Sequence, residues 1–312
     1  MNARAAQALA MASACWLCSC HGLLGGPSVA WQDDVAAAIT DARRAGRELV
    51  VFFALPGREL SDRMQGTLGA PVVQAALRDG GYAAAIADGV QRKNLYQAWI
   101  GFGEGMGIAV LGSDGQCHAA RPGPMDPDEL AAYLRLCTSQ RAALAAARAA
   151  AAGERPDPIA QHALGCLYLQ LGRTKLAEPL LLDAASAGVA DARHRLARLY
   201  ALDGNLAAAR RWLVHGPRTG PARVTEGYVL FKERRHREAA LVLEQALADG
   251  GLGDERQRAV LYLGKALHED QQDARAKPLL EALAAEGTGS TFEAAARHTL
   301  AHIADPQHGH SH

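Results

Sequence analysis

The side chains of this 312-residue chain that could do chemistry are its cysteines, its histidines and one charged pair, and their spacing restricts each of them. Cys15, Cys18 and Cys20 sit inside an apolar N-terminal run, while Cys117, Cys137 and Cys166 are spread through the rest. Three widely separated thiols make neither a disulfide framework nor a zinc site, since both need clustered pairs. In an oxidising compartment two of them could bridge, and the spacing does not choose which. His298 and His302 stand one helical turn apart, and His308, His310 and His312 alternate in a polar tail. Imidazoles at i, i+4 face the same way and can ligate a divalent ion, but a solvated helix face and a disordered tail over 305–312 are the expectation, with no metal and no cofactor. Arg58 and Glu59, adjacent at a predicted helix start, read as solvated capping charges rather than an acid/base couple. The run Gly101-Phe102-Gly103-Glu104-Gly105-Met106-Gly107 fails the Gly-x-Gly-x-x-Gly frame and precedes a strand where a dinucleotide loop must follow one, so it reads as a flexible loop.

The elements that must position these residues fall into two halves. Within 31–46, Val35, Ala38, Ile39 and Ala42 recur at helical spacing and Gly46 stands in the stop position. Residues 49–54, Leu-Val-Val-Phe-Phe-Ala, form the unbroken apolar run of a buried central strand. A helix over 59–77 interrupted at Pro71, a small apolar run at 82–87, a short helix at 93–100 and a second buried strand at 107–111 follow. Ser113-Asp114-Gly115 turns that strand into residues 116–121, and Asp126 caps a last helix whose Asp128 and Glu129 suit its positive end. The order is αβαβαββα.

That order, with its Val-Val-Phe-Phe-Ala strand and Ser-Asp-Gly hairpin, resembles the thioredoxin fold, taken here as 31–137. The family carries Cys-x-x-Cys where the strand meets the next helix, whose terminus lowers the first thiol's pKa. This chain has Gly57-Arg58-Glu59-Leu60 there, and Met106 or Gly107 where the family places a cis-proline. The resemblance therefore implies the fold without the redox activity.

After an alanine-rich helical linker, 138–157, the Pro156-Asp157-Pro158 break opens a region of self-similarity. Leu164-Gly165, Tyr168, Gly172, Ala177 and Leu181 recur as Leu196-Ala197, Tyr200, Gly204, Ala209 and Leu213. They recur again as Gly227, Leu230, Ala239 and Leu243, and as Leu263-Gly264, Leu267, Ala276 and Leu280. The frames start near Pro158, Ala190, Gly220 and Gln257. This is similar to the tetratricopeptide repeat: antiparallel helix pairs in which small residues let helices approach, four units plus a capping helix over 158–304. The fold class expected is an α/β thioredoxin-like domain followed by an all-α repeat domain.

In that repeat family the first helix of each unit lines a groove that holds a peptide. The resemblance places His162, Cys166 and Gln170, then His194 and Arg198, then Tyr228, Phe231 and Lys232, then Arg258, Leu261, Lys265 and His268 on it. The aromatic and basic mixture implies a protein or peptide partner, acidic or carboxylate-bearing. Lys plus Arg equals Asp plus Glu at 33 each, so no bulk field draws the chain to nucleic acid. The function expected is a non-enzymatic interaction or scaffold protein. The alternative is a thiol-disulfide oxidoreductase or redox-linked chaperone of the cell envelope, and a metal-delivery role would rest on the histidines alone.

Arg4 followed by an apolar run to Leu24 and then Ser28-Val29-Ala30 reads as an export signal over 1–30, which points to the bacterial periplasm or cell envelope. Cleavage after Ala30 leaves Trp31 first; a competing reading takes Leu17-Cys18-Ser19-Cys20 as a lipobox, with membrane attachment through an acylated Cys20. Intact mass of the protein from its native host is expected to lack the leader, and a chain still starting at Met1 would refute export.

Overall fold

The computed structural model describes residues 28–304 except 102–104, 154–155, 215 and 217. Most of the segment 1–30 expected to be an export signal, namely residues 1–27, together with the middle of the glycine-rich run and the histidine tail over 305–312, lies outside the described residues.

The first half is a five-stranded sheet in the order β1-β3-β2-β4-β5, made by β1 (Trp31–Gln32), β2 (Leu49–Ala54), β3 (Ala83–Asp88), β4 (Gly107–Leu111) and β5 (Cys117–Pro122). β2 is parallel to β3 and antiparallel to β4, so Val51 lies between Ala85 and Ala109. All six β2 residues are buried, as a strand covered on both faces requires. Val50 and Phe52 face α3 (Pro71–Asp79) and α5 (Pro127–Ala150), while Val51 and Phe53 face α1 (Val35–Arg44) and α4 (Lys93–Trp99). Phe53 meets Tyr96 and Trp99 edge-on at 5.5 and 5.8 Å.

Two expectations need correction. The helix expected over 31–46 begins only at Val35, because Asp34 accepts from the Ala36 and Ala37 amides and Trp31–Gln32 instead pair in parallel with Ala84 and Ala85. A two-residue strand has no period to read. The helix capped by Asp126 does not stop near 137 before a separate linker: α5 runs unbroken to Ala150, because nothing between 138 and 150 is glycine or proline and alanine favours continuation. The break at Pro71 is as expected, with α2 (Glu59–Gly69) ending before it and Pro71 opening α3.

Among the described residues the second half carries nine α-helices: α6 (Pro158–Gln170), α7 (Thr174–Ser186), α8 (Ala190–Leu202), α9 (Leu206–Val214), α10 (Gly220–Lys232), α11 (His236–Asp249), α12 (Arg256–Glu269), α13 (Asp273–Ala284) and α14 (Thr291–Ala304). Four antiparallel hairpins and a last helix stack in sequence order. Each hairpin turns through one left-handed residue, Gly172, Gly204, Arg234 and Gln271, and these stand 32, 30 and 37 residues apart. The turn geometry therefore repeats with the sequence, strongly enough to hold an arginine and a glutamine where glycine is less strained. Helix contact explains the small residues: a Cβ on Gly165, Gly227 or Gly264 would lie 2.9, 2.5 or 2.6 Å from Leu181, Leu243 or Leu280 of the partner helix.

The halves share a core rather than a hinge. The β2 face bearing Val50 and Phe52, the inner side of α5 and helices α6 to α8 form one apolar cluster, and α10 to α14 form another. The α6–α7 turn covers the exposed edge of the sheet: Ala120 donates to the Leu171 carbonyl at 2.9 Å, and so does the Tyr133 hydroxyl at 3.1 Å. At the far end α14 returns to the start of α5 through Arg297–Asp128 at 3.2 Å. Helix α5 thus touches the first and last helices of the array. No helix among the described residues is long and apolar enough to cross a membrane.

Replacing Gly264 by Val is expected to lower stability by about 2 kcal/mol, because the added branch meets Leu280 in a filled seam. A guanidinium titration reads it; an unchanged midpoint would mean that the helices can separate at no cost.

Candidate functional site: the inner row of the helical array

The first helix of each hairpin, α6, α8, α10 and α12, carries the row of residues expected to line a groove. Its centre is built around Glu255, the last residue of the single 3-10 turn that precedes α12. Glu255 receives Arg198 at 3.0 Å, Arg258 at 2.7 Å and Arg195. Arg198 is 3% exposed and Glu255 5%, so this is a buried ionic cluster joining α8 to the start of α12. Burial alone would raise the Glu255 carboxyl, but Arg198, Arg258 and Arg195 together pull it down to about 2. Burial and then the charge of Arg258 lower Arg198 to about 9, against the pull of Glu255.

Beside the cluster lies His194, 1% exposed, with neither ring nitrogen hydrogen-bonded. Burial, then Arg195, holds it down to about 4, so it is neutral at physiological pH. His162 and Cys166, one turn apart on α6, meet at 3.4 Å between Nε2 and Sγ. Burial depresses His162 and raises the Cys166 thiol, which leaves that thiol protonated at neutral pH and weakly nucleophilic.

Other members of the row are used differently. Tyr228 is buried against Tyr262 at 4.6 Å, and Phe231 is half-buried against the same ring at 5.5 Å. Leu261 is buried in the core. Arg258 also lies over the Phe292 ring at 5.0 Å. Lys265 is half-buried; burial lowers its pKa while Glu129 of α5 opposes. His268 is held by Asp273 at 2.6 Å. Gln170 and Lys232 are exposed. The structure therefore brings His162, Cys166, His194, Arg198 and Arg258 together and uses Tyr228 and Leu261 for packing. Sequence reasoning missed Glu255 and Arg195, because Glu255 lies in a connection with no helical period. The lengthened 37-residue spacing before Gln271 was the single hint that something extra sits there.

Two further places in the first half bear on chemistry. Where β2 meets α2, Arg58 is the N-terminal flank of the helix without a side-chain cap, and Glu59 pairs with Arg63 at 2.5 Å in solvent. At the opposite end of the sheet, a cavity of about 390 Å³ is lined by Glu48, Asp114, His118, Arg141 and Arg148 among others. Glu48 holds Arg141 at 2.7 Å and lies 3.6 Å from His118, whose charge burial disfavours. The thiols Cys117 and Cys137 are buried and burial raises both, Cys117 to about 11.

No family model matches this chain, and no curated protein does. Among solved structures it is similar to a crystal structure of kinesin light chain nearly identical TPR-like repeats from Podosopora anserina, at 20% identity. That match covers 50% of this chain and 85% of the other, with a TM-score of 0.32.

Removing the charge with Glu255→Gln is expected to cost ~3–5 kcal/mol at neutral pH, since three guanidinium groups would lose their buried partner. The pH profile supplies the sign. Glu255 falls from 4.5 to about 2 on folding, so it contributes stability above pH 4.5 that disappears as pH drops towards 2. His194, depressed from 6.5 to about 4, contributes stability above pH 6.5 that is lost on the way to pH 4. Urea midpoints against pH should show both steps in the native chain and only the upper one in Glu255→Gln; an unchanged lower step would exclude Glu255 as its source.

Proposed function

We propose that this protein is an exported, non-enzymatic interaction scaffold whose helical array takes a protein or peptide partner, beside a thioredoxin-like domain that carries no redox pair. The observation that carries this reading is the division of the inner row. Its centre is an inward-directed Arg195/Arg198/Arg258–Glu255 cluster that sets the helices, and its margins leave Gln170, Lys232 and part of Phe231 open. A stack of hairpins with a fixed centre and open margins suits recognition of an extended segment.

Several features support the redox-inactive reading of the first domain. A βαβ unit with β2 and β3 parallel, followed by an antiparallel β4–β5 hairpin, is the arrangement that a thioredoxin-like chain would need. Residues 57–60 after β2 offer no thiol, and exchange needs an accessible thiolate to attack a disulfide. The three described cysteines are buried or half-buried, and burial raises each of them.

One contact favours lipid attachment as the mode of export. Val29 donates its amide to Gln74 Oε1 at 2.7 Å and packs on the core of the first half. Processing at Cys20 would keep that contact, and cleavage after Ala30 would delete it.

The test is capture of a partner from envelope extracts by the processed chain, followed by binding to a Lys232→Glu, Gln170→Glu variant. Two added negative charges at exposed positions should weaken an acidic partner at least ten-fold and flatten the salt dependence, since exposed ion pairs are screened. A captured partner that bound the variant equally well would remove the inner row from the reading. Turnover of insulin disulfides abolished by Cys166→Ser would replace the scaffold with an oxidoreductase.

A further inference from the structure

We propose that the cavity at the end of the sheet opposite the β2–α2 junction is a binding site for a small organic monocarboxylate, held by Arg141 and Arg148 of α5 together with Arg47.

The site is built by the part of α5 that the sequence pattern places in a linker. Arg141, Leu144, Ala145 and Arg148 recur at i, i+3, i+4 and i+7, so one face of the helix is turned to the cavity with a guanidinium at each end. The other walls are turns of the chain: 46–48 before β2, 80–81 after α3 and 112–114 between β4 and β5. Gly46 and Gly81 are left-handed, at φ of 64° and 67°, and a Cβ on either would meet nothing within 4 Å, so these turns do not close the cavity. A volume of about 390 Å³ falls in the range of small-molecule pockets, roughly 300–1,000 Å³.

The arginines are held in place by the protein itself. Arg148 donates from Nε to the Tyr168 hydroxyl at 2.9 Å and lies over that ring at 5.7 Å. Arg141 donates to the Gly80 carbonyl at 2.9 Å and to Glu48 at 2.7 Å, and lies over the Tyr82 ring at 5.4 Å. Arg47 donates from Nε to the Gly81 carbonyl at 2.9 Å. Guanidinium groups fixed in this way lose little freedom on binding, and their planar forks match the two oxygens of a carboxylate.

The charge of the lining sets the class of ligand. Three guanidinium groups face two carboxylates, Glu48 and Asp114, so one negative charge neutralises the wall. Glu48 is engaged by Arg141, and Asp114 Oδ1 accepts the Gln116 amide at 2.8 Å to hold its turn. Asp114 Oδ2 stands 3.7 Å from Arg148 Nη1, which leaves that cation loosely paired. A phosphate dianion would make the wall negative beside Glu48, whereas a monocarboxylate leaves it neutral.

The lining also carries an unmet polar group. His118 on β5 is 3% exposed, and its Nε2 stands 3.6 Å from Glu48 Oε1, beyond hydrogen-bond reach. Among the described residues no hydrogen bond satisfies the ring. Gly112 keeps space beside Nδ1, since a Cβ there would lie 3.5 Å from that nitrogen. A buried imidazole calls for a partner, and this one borders the space that a ligand would fill.

NMR titration of the full chain with sodium butyrate tests the site. The expected result is saturable movement of the Gly81, Gly112 and Ser113 amide signals and of the His118 ring signals, at a Kd of about 1 mM or tighter, with none from butylamine. Sodium phosphate should bind about ten-fold more weakly than butyrate. Arg148→Gln should weaken butyrate about ten-fold. Ala145 is exposed on the lining face, so Ala145→Glu adds a carboxylate there without entering the core and should weaken butyrate about ten-fold more than Ala145→Gln does. Phosphate binding as tightly as butyrate would overturn the monocarboxylate assignment. Butyrate affinity unchanged by Arg148→Gln and Ala145→Glu, or no saturable movement up to about 10 mM, would overturn the site.

Discussion

The arrangement of the helical array depends on one buried carboxylate. Glu255 takes Arg195 and Arg198 from α8 and Arg258 from the first turn of α12, joining parts of the chain some 57–60 residues apart. It does so where the apolar packing is weakest, for the cluster that includes α6 to α8 and the cluster of α10 to α14 are separate, joined by a small group around Ala201, Ala209, Tyr228 and Val229. Taking four charged groups from water is costly, and three cations around one anion leave an excess of positive charge. What the cluster provides is geometry: guanidinium groups converging on one carboxylate fix the angle between hairpins more sharply than leucine contacts can.

The same constraint shapes the inner face. The positive charge that looked available for an acidic ligand at Arg198 is directed inward, and His194 beside it is packed away in its neutral form. At the margins of the row, Gln170 and Lys232 are exposed. Helix α5 restricts the face further. Because it touches both α6 and α14, the array is held at its two ends by one 24-residue rod.

That rod also makes the two halves one folding unit. The sheet face at Val50 and Phe52 is covered by α5, and α5 is covered in turn by the first hairpin, so neither half presents a finished apolar surface alone. The α6–α7 turn that blocks the β5 edge depends on Gly172, where a Cβ would lie 2.0 Å from the Ala120 carbonyl oxygen. A glycine legible in the sequence as a repeat position is thereby also a point of close approach between the halves.

Local chemistry decided much of this in advance. The unbroken apolar run of 49–54 could only be a covered strand, Pro71 had to divide two helices, and recurring small residues at Gly165, Gly227 and Gly264 had to mark close helix pairs, because each follows from burial, backbone sterics or side-chain volume at that position. The hairpins and the last helix, Thr291–Ala304, were likewise legible from periodicity. What the tertiary structure decided were the pairings between residues far apart. Trp31–Gln32 became a strand because β3 lay beside it, and Glu255 became central because α8 and α12 converge on its loop. Asp126 became a partner of His298 because the last helix returns to the start of α5. A sequence carries the period of an element and the volume of a side chain; which charges share a low-dielectric space is set only when the elements have packed.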